Sequence, residues 1–174
     1  MWTSPPSAPA AQPPAVIRTG VLDLDDAEQL EAVHTITDHY DGPVRGIANF
    51  RGTPHYYERQ FDDDADEWSD IYWLTPIDDE TFVLAMEAWQ IWRRWQMAFH
   101  QNQTTLATHP ALPADRARAD ELTKVLNHRL VVDERRALAA RGKFEHSNDR
   151  VAWQLPHVRW RLLEHGERHP RQGA

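Results

Sequence analysis

Residues 34–61 read HTITDHYDGPVRGIANFRGTPHYYERQF, and this stretch decides the fold. Three runs rich in β-branched and aromatic residues, 34–40, 44–51 and 55–61, are separated by Asp41-Gly42-Pro43 and by Gly52-Thr53-Pro54. Glycine reaches the positive φ of a tight hairpin, and proline stops the ladder because it has no N–H. The pattern predicts a three-stranded antiparallel meander. With Gly42-Pro43 and Gly52-Thr53 as turn centres, Thr37, Ala48 and Tyr57 share one row across a face. His39, Gly46 and Arg59 form the neighbouring row, and Phe50 lies beside His55. Gly46 and Ala48 then make a shallow floor, which a helix or a ligand could fill; the helix is the reading adopted. A slip of one residue would reverse every face.

Downstream, Asp62 to Asp70 reads as an acidic loop, and Ile71 to Leu74 as a short fourth strand closed by Pro76. A helix is expected over 79–101. Asp78 or Asp79 is its N-cap, and acidic residues in the first turn complement the helix dipole. At 100° per residue, Leu84, Ala85, Ala88, Trp89, Ile91, Trp92, Trp95 and Phe99 fall within an arc of roughly 160°. Glu87, Gln90, Arg94 and Gln101 lie opposite. So wide an apolar face marks a core helix, with Trp89, Trp92 and Trp95 as packing residues rather than a binding platform. Pro113 suits the first position of a second helix, 113–130, with Ala119, Leu122, Val125, Leu126 and Arg129 at helical spacing.

The flanks are less regular. Val16 to Leu24 could form a first strand, with Asp25-Asp26 capping a turn or short helix through Leu30. Residues 134–140 fit further helix. Residues 139–145 and 151–155 fit a hairpin around Ser147-Asn148-Asp149, and Val158 to Leu162 a last strand. Residues 1–15, rich in Pro, Ala and Ser, read as a disordered tail, and 169–174 as a frayed end. The expectation is one α+β domain over 16–168: an antiparallel β-meander of about four to six strands packed on two main helices.

Composition narrows the function classes. A chain of 174 residues can bury a core without a staple. It has no cysteine, so disulfides, thiolate metal sites and a Cys nucleophile are excluded. No apolar run reaches a membrane span, the first residues lack the features of a secretory signal, and a cytoplasmic location is the expectation. The net charge of −8 argues against nucleic-acid backbone as a partner. Charge is unevenly placed: residues 1–92 hold four Arg against 18 Asp and Glu, and residues 93–174 hold 15 Lys and Arg against nine. The halves could neutralise each other within the fold, support self-association, or present an acidic face to a basic partner.

Motifs for chemistry are sparse. The ten histidines show no metal-ligand spacing, and no metal or other cofactor is expected. GxSxG, SxxK and P-loop patterns are absent. Asp62-Asp63-Asp64-Ala65-Asp66-Glu67 superficially suggests a Ca²⁺ loop, but Glu67 and Trp73 stand where Gly and Glu are required. In the assumed register Asp38 and Glu58 flank Ile47 at roughly 9–10 Å, near an inverting glycosidase spacing, with Arg45 close enough to neutralise them. Two functional readings follow. The first is a non-enzymatic interaction protein (an adaptor, inhibitor or immunity-type protein) that meets a basic partner through Asp62, Asp63, Asp64, Asp66 and Glu67. The second is a small-molecule-binding protein or enzyme on the meander face, with His39 and His55 as acid or base, Tyr57 in the polar wall and Arg59 as anion clamp.

Overall fold

The structure is a computed structural model that describes residues 29–146 and 155–163. Its strands are β1 (Leu30–His39), β2 (Pro43–Phe50), β3 (Thr53–Asp62), β4 (Glu67–Pro76), β5 (Leu138–Glu145) and β6 (His157–Leu162). Two helices, α1 (Asp79–His100) and α2 (Arg116–Arg129), are inserted between β4 and β5. The α+β composition is as expected, but the sheet is not an open meander. The six strands are antiparallel neighbours in chain order and close into a barrel. Closure comes from β6, which pairs β5 on one side and β1 on the other through Leu30↔Arg159, Glu31↔Val158 and Ala32↔His157.

The hairpins form where expected, in a different register. The β2–β3 turn is centred on Arg51-Gly52, with φ of 52° and 73°. Two successive positive φ values make the two-residue turn whose twist matches a hairpin. Phe50 therefore faces Thr53, and Gly46 and Ala48 face Tyr57 and His55, two residues away from the expected rows. A two-residue shift preserves the faces of β3. On β1 the error is larger, because irregularities near residues 34, 37 and 38–39 bend the strand; Ile36 faces Gly46 and Val33 faces Ala48. Bulges of this kind turn a strand around a barrel.

Gly46 and Ala48 thus face the barrel interior, not a helix. Val33, Ala48, Phe50, Tyr57, Tyr72, Leu74, Ala140, Val158 and Trp160 form the interior cluster. The buried hydroxyls are satisfied: Tyr57 donates to the Thr35 carbonyl at 3.2 Å and Tyr72 to the Pro43 carbonyl at 3.0 Å. The Trp160 indole N–H reaches the Asn49 carbonyl at 2.8 Å, tying β6 across to β2. Ile47, on the opposite face of β2, belongs to a second cluster with Ala85, Ile91, Ala111, Ala119, Leu122 and Leu126. The helices therefore pack outside the barrel, over Ile47.

The α1 boundaries follow the sequence closely. The Asp78 carboxylate accepts the Thr81 N–H at 2.7 Å, which caps the first turn, and hydrogen bonding by the Thr81 side chain and then its backbone holds this carboxyl below its ordinary range. At the other end Asn102 adopts φ 56°, and the Gln103 and Asn102 amides bond the Ala98 and Phe99 carbonyls at 2.8 and 3.0 Å. This is a Schellman stop, with Asn in the glycine position. Pro113 opens a short 3₁₀ turn, Pro113–Asp115, ahead of α2. The two helices form an antiparallel hairpin with a ladder of ion pairs: Glu80–Arg129 at 2.9 Å, Glu87–Arg118 at 2.7 Å and Arg94–Asp115 at 2.9 Å. The α1 members recur every seven residues, so all three face α2 along one seam.

Several flanking expectations change. Leu30 opens β1 instead of ending a helix, and β4 starts at Glu67 rather than Ile71. Residues 134–136 are a turn, anchored by the Arg136 amide on the Asp133 carbonyl at 3.0 Å, and strand resumes at Leu138. Leu155 precedes β6, whose pairing with β5 begins at His157↔Glu145. The strand expected at 16–24, residues 151–154 of the expected hairpin and both terminal tails lie outside the described residues.

Candidate functional site

A cavity of about 730 Å³ lies between the barrel wall and the helical hairpin. Its location follows from the packing. His34 on β1 meets Phe82 in the first turns of α1 edge to face, with ring centroids 4.9 Å apart. Further along both elements a gap remains. Residues 35–39 of β1 and Ile47 of β2 form its floor, Ala85, Ala88, Trp89 and Trp92 of α1 its roof, and Ala119, Thr123 and Leu126 of α2 its far side. Alanines at 85, 88 and 119 leave room where larger side chains would fill the gap. Trp89 and Trp92 stack on each other at 4.7 Å and 22°, and so give the roof an aromatic plane.

Polar groups sit among these apolar walls. His39, Arg93, Gln96, His109 and His146 border the cavity, and none of their side chains makes a hydrogen bond or ion pair among the described residues. Its hydroxyls are engaged locally: Thr35 accepts the Ile47 amide at 3.0 Å, and Thr123 donates to the Ala119 carbonyl at 2.8 Å. Among the described residues, no hydrogen bond joins a cavity histidine to a hydroxyl or carboxylate, so no nucleophile–base unit is assembled there. Among those residues, too, no group of three His, Asp or Glu is placed to hold a metal ion.

The four candidates His39, His55, Tyr57 and Arg59 are not brought together. His39 is exposed at the end of β1 and borders the cavity. His55 is buried, its Nδ1–H donating to the Thr53 carbonyl at 2.8 Å, and burial lowers its pKa below the ordinary 6.5. Tyr57 is fully enclosed in the barrel, where burial raises its phenol well above the usual value. Arg59 holds the hairpin tips together, donating to the carbonyls of Ser69 at 2.6 Å, Asp41 at 3.1 Å and Trp68 at 3.4 Å. Three of the four therefore serve the barrel, for a reason the sequence hides: alternation places 55, 57 and 59 on one face, and that face turns inward on closure.

Asp38 and Glu58 flank Arg45 in one cross-strand row, rather than Ile47. Arg45 approaches Asp38 at 3.5 Å, and the Tyr56 hydroxyl donates to Glu58 at 2.7 Å. The carboxylates are thus neutralised or hydrogen-bonded. The acidic residues Asp62, Asp63, Asp64, Asp66 and Glu67 form the exposed β3–β4 tip. Asp62 accepts the amides of Asp64 and Ala65 at 3.0 and 3.2 Å, and Asp66 takes φ 54°. Among the described residues no cation pairs with this tip.

Sequence reasoning missed the cavity because it assigned Trp89 and Trp92 wholly to the core. The available signal was the excess width of the apolar arc, which is more than one packing partner needs. Among the described residues no helix is long and apolar enough to cross a membrane. The chain matches no protein-family model, no curated protein and no solved structure.

Proposed function

We propose that this chain binds a small, largely apolar molecule without covalent chemistry, in the groove between β1–β2 and the α1–α2 hairpin. One observation carries the reading: about 730 Å³ of recess, roofed by the stacked Trp89 and Trp92 and floored by Ile47. Volumes of roughly 300–1,000 Å³ with apolar walls and a few polar groups are usual for small-molecule sites. The absence of a nucleophile–base unit among the described residues favours binding over turnover. The test is titration with N-phenyl-1-naphthylamine, a neutral apolar fluorophore, monitored by energy transfer from tryptophan. Binding at micromolar concentration that Thr37→Trp abolishes supports the reading. Thr37 is an exposed rim residue on a strand, so the bulky substitution should occlude the groove without disturbing the fold. Failure of the dye to bind overturns it.

A second reading rests on the acidic tip. Five exposed carboxylates at 62–67, without a cation among the described residues, suit long-range attraction of a basic protein surface. Changing all five to Asn or Gln should then remove a partner captured from the native host; an unaltered set of captured proteins ends that reading. The cytoplasmic location expected from the sequence belongs with these proposals.

A further inference from the structure

The charges around the groove define its ligand more narrowly. This step rests on the groove being a binding site. Among the described lining residues Asp38 is the only carboxylate, and Arg45 already pairs with it at 3.5 Å. Arg93 lines the groove half-buried, one turn from Gln96 on α1. The other arginines of the two helices all have partners: Arg94 has Asp115, Arg118 has Glu87 and Glu121, Arg129 has Glu80, and Arg116 donates to the Thr108 and Ala111 carbonyls. Arg93 has none among the described residues. A guanidinium drawn partly out of water without a counter-ion is unfavourable unless something supplies the anion. The adjacent Gln96, and His39 across the mouth, add N–H donors and no negative charge.

We infer that the ligand is an amphiphile with a single anionic head group, its apolar body under Trp89 and Trp92 and its head group at Arg93. Arg93 is the recognition residue, and two oxygens of a carboxylate or sulfonate can accept two of its N–H groups at once.

Two dyes of the same apolar body separate this from the parent reading: 1-anilinonaphthalene-8-sulfonate carries the anion, and N-phenyl-1-naphthylamine does not. Both are titrated into the full chain and into Arg93→Gln, Arg93→Lys and Thr37→Trp variants. The expected result is that Arg93→Gln weakens the sulfonate dye about tenfold and the neutral dye less than roughly twofold, one charge-assisted hydrogen-bond pair being lost. Arg93→Lys should retain part of the difference, and Thr37→Trp should block both dyes. Equal weakening of the two dyes by Arg93→Gln, or none of either, overturns the anionic ligand while leaving an apolar groove. Sulfonate binding that survives Thr37→Trp places the anion elsewhere and also overturns it. If the neutral dye does not bind at all, the parent reading fails, and this one with it.

Discussion

Gly46→Ala is the substitution the barrel should tolerate least. A Cβ at position 46 would lie 2.1 Å from the Thr35 carbonyl oxygen, 2.9 Å from its carbon and 2.7 Å from the Tyr57 hydroxyl. The first two are backbone atoms, so no rotamer change relieves them. Thr35 is also pinned, because its hydroxyl accepts the Ile47 amide at 3.0 Å and its carbonyl accepts Tyr57 at 3.2 Å. Tyr57 cannot swing away, with the rings of Phe144, Tyr72 and Trp160 at 5.6, 6.0 and 6.1 Å. Either β1 retreats by about 1 Å or both hydrogen bonds open. Overpacking costs about 1–3 kcal/mol, and two hydrogen bonds about 1 kcal/mol each, so the loss is roughly 3–5 kcal/mol. That is a large part of the roughly 5–15 kcal/mol of a typical domain. Gly52→Ala is the control: it meets nothing within 4 Å but sits at φ 73°, so only left-handed strain of about 1–2 kcal/mol applies. Urea unfolding followed by tryptophan emission compares the two. A midpoint loss for Gly46→Ala no greater than that for Gly52→Ala would refute the interior placement of Gly46.

Further expectations concern charge and packing. His55 has a pKa lowered by burial, so its neutral form is favoured in the fold. Its contribution is complete above the unfolded value near 6.5 and is lost as pH falls from there toward the folded value. Urea midpoints between pH 7.5 and 5 should therefore fall more steeply for the native chain than for His55→Gln, and parallel curves would contradict this. Leu122, 1% exposed between the helices and the barrel wall, should cost about 2–5 kcal/mol as Leu122→Ala. A loss confined to the urea midpoint, with an unchanged circular dichroism spectrum, is the expected record. The Glu87–Arg118 pair is solvent-exposed, so Glu87→Gln should have a small effect at low salt that vanishes in 1 M NaCl.

Local features of this fold are legible in the sequence, and its closure is not. Asp78 or Asp79 as cap and the arc from Leu84 to Phe99 place α1 within a residue of its observed ends, because capping and periodicity are local. The Arg51-Gly52 turn was displaced because a non-glycine residue rarely takes positive φ, and Arg51 does so at 52°. One displaced turn moves the rows of β3. The β1 irregularities then reverse which residues accompany Gly46. Pairing of β1 with β6 joins residues some 130 positions apart, and no local pattern encodes that. The site follows the same logic. His39 borders the groove because it lies at the end of β1, whereas His55 and Tyr57 are buried and Arg59 is held by carbonyls of the hairpin tips. Arg93 was invisible because its meaning depends on which other arginines of the hairpin find carboxylates.

The central claim, that the recess beneath Trp89 and Trp92 receives a small apolar molecule, is most directly tested by the tryptophan indole N–H resonances of ¹⁵N-labelled protein. The chain has eight tryptophans, and Trp89→Phe and Trp92→Phe variants assign the two of interest. Titration with N-phenyl-1-naphthylamine should move the Trp89 and Trp92 signals and leave Trp160, bonded to Asn49 inside the barrel, in place. Saturable shifts confined to the roof of the groove are the predicted result. Unmoved Trp89 and Trp92 signals, or shifts of Trp160 as large as theirs, would contradict the account.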